Sequence, residues 1–210
     1  MFKSHLVAAC ALLAAAFAVS AHAAPAHATA VALTTDASQA GYGAWNPFNV
    51  SDMEALDSGT AWIDSANTSS AGYGSALSFT FTVAAGQVGT LSVVDAGFAG
   101  DMYRVTNLGS VIGVTSTVAS ATYPSVTDVG TDFGAAFANP VFSQGVYTLG
   151  AGTYSISGEL AQSVSAADGS NLNATVGAVS LTVAAIPEPS TYALVFAGLG
   201  VVALLTRRRF

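Results

Sequence analysis

A strict alternation of apolar and hydroxylated side chains over residues 77–83 restricts the fold of this chain more than any other feature. Successive side chains of a β-strand point to opposite faces, so the pattern predicts a strand with one buried face and one face of Ser and Thr. Similar short runs occur at residues 91–94, 102–106, 111–114, 145–149, 153–157 and 176–183. Such spacing predicts an all-β fold, and we expect an antiparallel, jelly-roll-like β-sandwich.

Glycine-containing loops separate these runs. Residues 84–87 predict a turn, and Asp168 with Gly169 predicts another. Residues 107–110 lie between two predicted strands, which indicates a β-hairpin, and residues 150–152 indicate a second hairpin in the same way. A short helix is predicted only at residues 132–138.

The N-terminus has the three parts of a secretory signal peptide. Lys3 precedes an apolar run over residues 6–19, and the small-residue site Ala21-His22-Ala23 follows it. We therefore expect a signal helix over residues 1–23 that is delivered to the secretion translocon and cleaved after Ala23. The alternative is a lipoprotein acylated at Cys10, but only four apolar residues precede that cysteine directly.

The C-terminus also has three parts in a fixed order. Pro187, Glu188 and Pro189 precede an apolar run over residues 192–205, and a basic cluster of Arg207, Arg208 and Arg209 follows. As a helix, residues 189–206 extend about 27 Å, slightly less than a hydrocarbon core of about 30 Å. We expect a short transmembrane helix with the arginines as a membrane stop on the cytoplasmic side.

Residues 187–210 resemble the PEP-CTERM sorting tail of exported Gram-negative bacterial proteins. The resemblance implies that exosortase, a membrane processing enzyme, cleaves near the Pro-Glu-Pro motif. It also implies transient retention in the inner membrane, then a place at the cell surface or outside the cell, in an exopolysaccharide or biofilm setting. The alternative is a plain single-span anchor. Residues 24–186 are then the β-sandwich domain between the signal peptide and the tail.

Part of the middle region, residues 77–156, also resembles a group of secreted bacterial proteins that often carry this tail. The matching segments are residues 79–81, 95–103, 137–142 and 145–154. This resemblance implies the same fold and export, and it implies no activity.

Charge and residue usage exclude several kinds of function. Between residues 24 and 186, Arg104 is the only Lys or Arg against eleven Asp and Glu, a net charge of −10. Binding to nucleic acid requires cations, so no nucleic-acid partner is expected. Without cysteine, and with His27 as the only histidine of this region, a zinc site or a Ser-His-Asp triad cannot form. We therefore expect no enzyme, and for Arg104 either an ion pair or contact with an acidic sugar.

Two pairs of residues are candidates for ligand binding. Asp95 and Asp101 flank a Gly-containing connection and could bind Ca²⁺, the only cofactor considered; the alternative is that they fix a turn and a strand start. Trp45 and Trp62 could stack on sugars, or could be core residues. The function expected is a non-enzymatic structural or matrix component, and the alternative is a carbohydrate-binding module, with or without Ca²⁺.

Overall fold

The computed structural model of the protein describes residues 28–55, 59–68, 72–187 and 189–207. The predicted signal helix over residues 1–23 lies outside these ranges, as do Glu188, Arg208 and Arg209. The signal peptide and its cleavage site therefore remain predictions from the sequence.

The described parts of the chain form ten strands and two helices. The strands are β1 (Ala28–Ala32), β2 (Asn46–Ser51), β3 (Ile63–Thr68), β4 (Gly74–Val83), β5 (Gln87–Ala96), β6 (Met102–Asn107), β7 (Ser110–Val114), β8 (Gln144–Leu149), β9 (Gly152–Gln162) and β10 (Ala174–Ala185). The helices are α1 (Phe133–Ala138) and α2 (Pro189–Arg207). All the predicted strands are present, whereas β1, β2 and β3 were not predicted.

The strands form one strongly curved sheet. They pair in the order β7-β6-β9-β4-β3-β2-β10-β5-β8, and β1 lies parallel to β4, while every other described pair is antiparallel. The two edge strands, β7 and β8, come together just after β7, where the Ser116 amide donates to the Gln144 carbonyl of β8 at 2.7 Å. The sheet is therefore nearly closed and barrel-like. The all-β class and antiparallel pairing are confirmed, and jelly-roll connectivity stays a prediction.

One predicted hairpin is confirmed and the other is wrong. β6 and β7 pair with Asn107 opposite Ser110, and the two turn residues, Leu108 and Gly109, have φ of 49° and 81°, as a two-residue hairpin requires. In contrast, β8 pairs with β5, and β9 pairs with β4 and β6. The glycines at residues 150–152 specify only that the chain reverses, whereas packing across the whole sheet selects each strand's partner.

Two hydrophobic clusters lie on opposite faces of β5. The main core is inside the barrel and receives the inward side chains of β4, β5 and β10, among them Phe79, Leu91 and Leu181. A smaller cluster lies outside the sheet, where α1 covers Val94 and Phe142. The helix begins as predicted, because the Asp132 Oδ1 atom accepts a hydrogen bond from the Ala135 amide at 2.9 Å.

Candidate functional site

The C-terminal tail follows the central strand β10. This strand pairs with β2 on one side and with β5 on the other, where Ala185 lies opposite Gln87. The Ile186 amide then donates to the Gly86 carbonyl at 2.7 Å. Because α2 starts at Pro189, a favourable first residue of a helix, the joint between the two consists of residues 186–188.

The two described residues of the joint are exposed to solvent. Ile186 is 51% exposed, and Pro187 is exposed as well. Pro187 has no amide hydrogen and fixed φ, so it cannot extend the hydrogen bonding of β10. The described start of the joint is therefore accessible from solvent while β10 stays paired.

The apolar side chains described in α2 are also exposed. Leu194 and Phe196 are 73% and 71% exposed, and Thr206 Oγ1 donates to the Val202 and Ala203 carbonyls of its own helix. With 19 residues, α2 extends about 28 Å. Within the described ranges no helix is long and apolar enough to cross a membrane. The predicted transmembrane helix is therefore not confirmed, although a helix ending at Arg207 is present where it was predicted.

A second candidate site lies at one end of the barrel core. Asp95 continues the inward side of β5 after Leu91 and Val93, so its carboxyl group points into the barrel. Asp95 is 0% exposed and Asp101 is 2% exposed. With Tyr103 and Thr175 they form what we call the acidic cluster.

Oxygen atoms converge in the acidic cluster. Tyr103 Oη lies 3.3 Å from Asp95 Oδ1, 3.4 Å from Thr175 Oγ1 and 3.4 Å from the Val176 carbonyl oxygen. Asp101 Oδ1 accepts a hydrogen bond from the Val164 amide at 2.7 Å, which holds the chain beyond β9 against the start of β6. No well-aligned donor from the described residues reaches the buried Asp95 Oδ2 atom.

Burial dominates the electrostatics of the acidic cluster. Burial, and then the charge of Asp101, raises the pKa of Asp95 to about 9, although the nearby Gly100 and Asp101 amides act in the opposite direction. Burial also raises the pKa of Asp101 to about 6, against hydrogen bonds from Thr175 and Val164. The pKa of Tyr103 lies well above its usual value for the same reason. At neutral pH the cluster therefore keeps the Asp95 proton.

The structure brings the two predicted metal ligands together, but Ca²⁺ binding itself stays a prediction. In the part of the chain that is described, no group of three or more His, Cys, Asp or Glu side chains is arranged to hold a metal ion. A cation at the acidic cluster would need the neutral oxygens of Tyr103, Thr175 and Val176 as further ligands. The alternative prediction was that the aspartates fix a turn and a strand start. Asp101 has the second role, because its carboxylate, just before the start of β6, accepts the hydrogen bond from the Val164 amide.

The two predicted sugar-binding tryptophans lie in different places. Trp62 is 0% exposed and stacks on Phe48 with 3.9 Å between ring centroids, so it has no free face for a sugar. Its prediction as a sugar contact is therefore corrected to the core role. Trp45 is half-buried and packs against Phe133 and Phe137 of α1. The two rings form no common platform.

Arg104 and Asp168 have the structural roles that the sequence favoured. Arg104 on β6 forms an ion pair with Glu159, its neighbour on β9, and both side chains are about half exposed. Asp168 Oδ1 accepts hydrogen bonds from the Ser170 amide and hydroxyl at 2.9 and 2.6 Å, as in an Asx turn.

Sequence reasoning missed Tyr103 and Thr175 as partners of the two aspartates. A signal for Asp95 existed, because the alternation of Leu91 and Val93 places Asp95 on the buried face of β5. No comparable signal existed for Thr175, which reaches the cluster only through the pairing of β10 with β5.

Comparisons with known proteins identify the tail and leave the domain unmatched. Residues 185–209 match the PEP-CTERM protein-sorting motif. No curated protein and no solved structure matches the chain. The motif implies processing by exosortase, export and sorting to the cell surface, which confirms the resemblance drawn from the Pro-Glu-Pro segment.

Proposed function

We propose that this chain is an exported, non-enzymatic structural component of the cell surface or extracellular matrix, delivered by the secretion translocon and processed by exosortase. The observation that carries the proposal is the match of residues 185–209 to the PEP-CTERM protein-sorting motif. The exopolysaccharide-rich matrix is the setting that we propose for the mature domain.

The geometry of the joint supports processing of a folded substrate. The hydrogen bond between the Ile186 amide and Gly86 holds the end of β10 in the sheet, and the exposed Pro187 follows at once. Cleavage in residues 187–189 would remove α2 with its exposed apolar side chains. The sixteen buried core residues of the barrel all precede the cut.

The surface residues and the net charge of the domain support a structural role. Its outward strand positions carry Ser and Thr, as at residues 78, 80 and 82 of β4, and its net charge of −10 favours solubility outside the cell. The half-buried Trp45 and the buried Trp62 give no support to sugar stacking. We therefore propose the matrix role and not a carbohydrate-binding module.

The test is the intact mass of the secreted protein in a host that carries exosortase. The wild-type chain should lack its first 23 residues and the residues after the Pro-Glu-Pro motif. The variant Glu188→Ala should retain the tail and stay cell-associated. The matched control Glu159→Ala loses only an exposed ion pair and should be processed like the wild type.

Immunolabelling of the mature form then tests its destination. The label should lie on the cell surface or in the matrix. A secreted wild-type chain that still carries Arg207, Arg208 and Arg209 would contradict the proposal, and so would equal processing of the Glu188→Ala variant.

A further inference from the structure

We propose that the acidic cluster binds one Ca²⁺ ion through Asp95, Asp101, Tyr103 Oη, Thr175 Oγ1 and the Val176 carbonyl oxygen. Four features favour a cation there: the spacing of the oxygens, a buried oxygen without a well-aligned donor, the lack of a neighbouring basic side chain and a bordering cavity. This site is independent of the tail and of the proposed function.

The oxygen atoms around Tyr103 Oη are spaced widely enough to surround a cation. Hydrogen-bonded hydroxyl oxygens are typically about 2.7–2.8 Å apart. The three contacts of Tyr103 Oη, with Asp95 Oδ1, Thr175 Oγ1 and the Val176 carbonyl, are 3.3, 3.4 and 3.4 Å. Oxygens that bind Ca²⁺ at 2.3–2.6 Å, with bonds at right angles, are roughly 3.3–3.7 Å apart.

Asp95 Oδ2 provides an independent observation. This atom is fully buried, and within the described ranges no donor meets hydrogen-bond geometry to it, although the Gly100 and Asp101 amides lie near the carboxyl group. Ionisation of Asp95 is costly at this position, because the buried carboxylate oxygen loses its hydration without replacement. A cation bound at Oδ2 would replace that hydration.

The two carboxyl groups also lack a basic side chain. Arg104 is the only Lys or Arg between residues 24 and 186, and it is paired with Glu159 at the surface. The negative charge of Asp95 and Asp101 must therefore be neutralised by protons or by a bound cation. One divalent cation neutralises both carboxylates at once, and hard oxygen ligands of this kind favour Ca²⁺.

A cavity borders the cluster at Thr175 and Val176. It has a volume of about 400 Å³, and its wall includes Asn49, Ser51 and Glu54. The Glu54 carboxylate accepts a hydrogen bond from Ser65 and gives this cavity a negative charge that attracts cations.

Calorimetric titration of the mature secreted protein with CaCl2 at pH 8 tests the proposal. We expect one ion per chain. The melting temperature should rise by about 5 °C or more at a free Ca²⁺ concentration one hundred times Kd, and EDTA should reverse the rise. Tb³⁺ in place of Ca²⁺ should show luminescence sensitised by Tyr103.

Three variants distinguish Ca²⁺ binding at the acidic cluster from binding to acidic residues elsewhere in the domain. Asp95→Asn should abolish the heat of binding, the luminescence and the thermal shift, and Tyr103→Phe should weaken binding about tenfold through loss of one ligand. Asp168→Asn, at an exposed turn, is the matched control and should bind like the wild type. No thermal shift in the wild type would overturn the proposal, and so would an unchanged titration of Asp95→Asn.

Discussion

Asp95 is the residue at which the barrel departs most from an apolar core. Its carboxyl group occupies an inward position of β5 that Leu91 and Val93 occupy earlier in the strand. Burial and the neighbouring Asp101 raise the pKa of Asp95 to about 9, compared with 3.8 in the unfolded chain. The folded protein therefore holds a proton that the unfolded chain releases near pH 4.

This difference predicts an unusual pH dependence of stability in EDTA. Because the folded-state pKa of Asp95 is raised, its contribution is fully present below about pH 4 and declines as pH rises to about 9. The free energy of unfolding should fall across this window by at most about 1.4 kcal/mol per pH unit from this group. Urea unfolding at intervals of one pH unit measures it.

Two variants assign the effect to this residue. Asp95→Asn has no proton to lose, so its stability should be nearly constant between pH 6 and 9, with the remaining decline below pH 6 due to Asp101. Asp168→Asn should keep the wild-type profile, because the Ser170 hydrogen bonds lower the pKa of Asp168 and it titrates below the window. A wild-type slope in Asp95→Asn would contradict this explanation.

At the scale of the strands, glycines make room for the stacked rings of Phe48 and Trp62. A Cβ atom on Gly177 of β10 would lie 2.3 Å from Phe48 Cζ and 2.8 Å from the Val94 carbonyl oxygen. A Cβ atom on Gly158 of β9 would lie 2.6 Å from Trp62 Cε2. The ring pair at the centre of the barrel therefore depends on two strands that carry no side chain opposite it.

Gly177→Ala should destabilise the protein by overpacking. Phe48 is buried and stacked, and the Val94 carbonyl belongs to the paired strand β5, so neither can move without disturbing a neighbour. We expect a loss of about 1–3 kcal/mol in the free energy of unfolding, measured with urea. Gly150→Ala, where nothing lies within 4 Å of the added Cβ atom, should change it by less than about 0.5 kcal/mol.

The strands also show which parts of the fold a local sequence pattern can predict. The alternation at residues 77–83 predicted most of β4, because one face of that strand is apolar and the other hydroxylated. β2 alternates only over residues 48–51, directly after Pro47, and β3 is mostly polar, so neither was predicted. The pairing of β10 with β5, and hence the place of Thr175 beside Asp95, depends on contacts between residues distant in sequence. Local patterns cannot encode it.

For the whole molecule, the important property is that the barrel is complete before the tail begins. β10 is the last strand and ends at Ala185, and the described apolar side chains of α2 are exposed. Leu181, in contrast, belongs to the main core and is only 2% exposed. The free energy of folding should therefore come from residues up to the end of β10, and none of it from α2.

Two truncations of the chain that begins at Ala24 test this division. A chain that ends at Ile186 keeps every pair between β10 and β5, and we expect a cooperative urea transition within about 0.5 kcal/mol of the chain that ends at Phe210. A chain that ends at Ser180 loses Leu181 and the five pairs from Leu181 to Ala185, and we expect no cooperative transition. Fluorescence of the buried Trp62 reports folding in each. If the chain ending at Ile186 were unfolded while the longer chain folded, α2 would be part of the folding unit, and exosortase would release an unstable product.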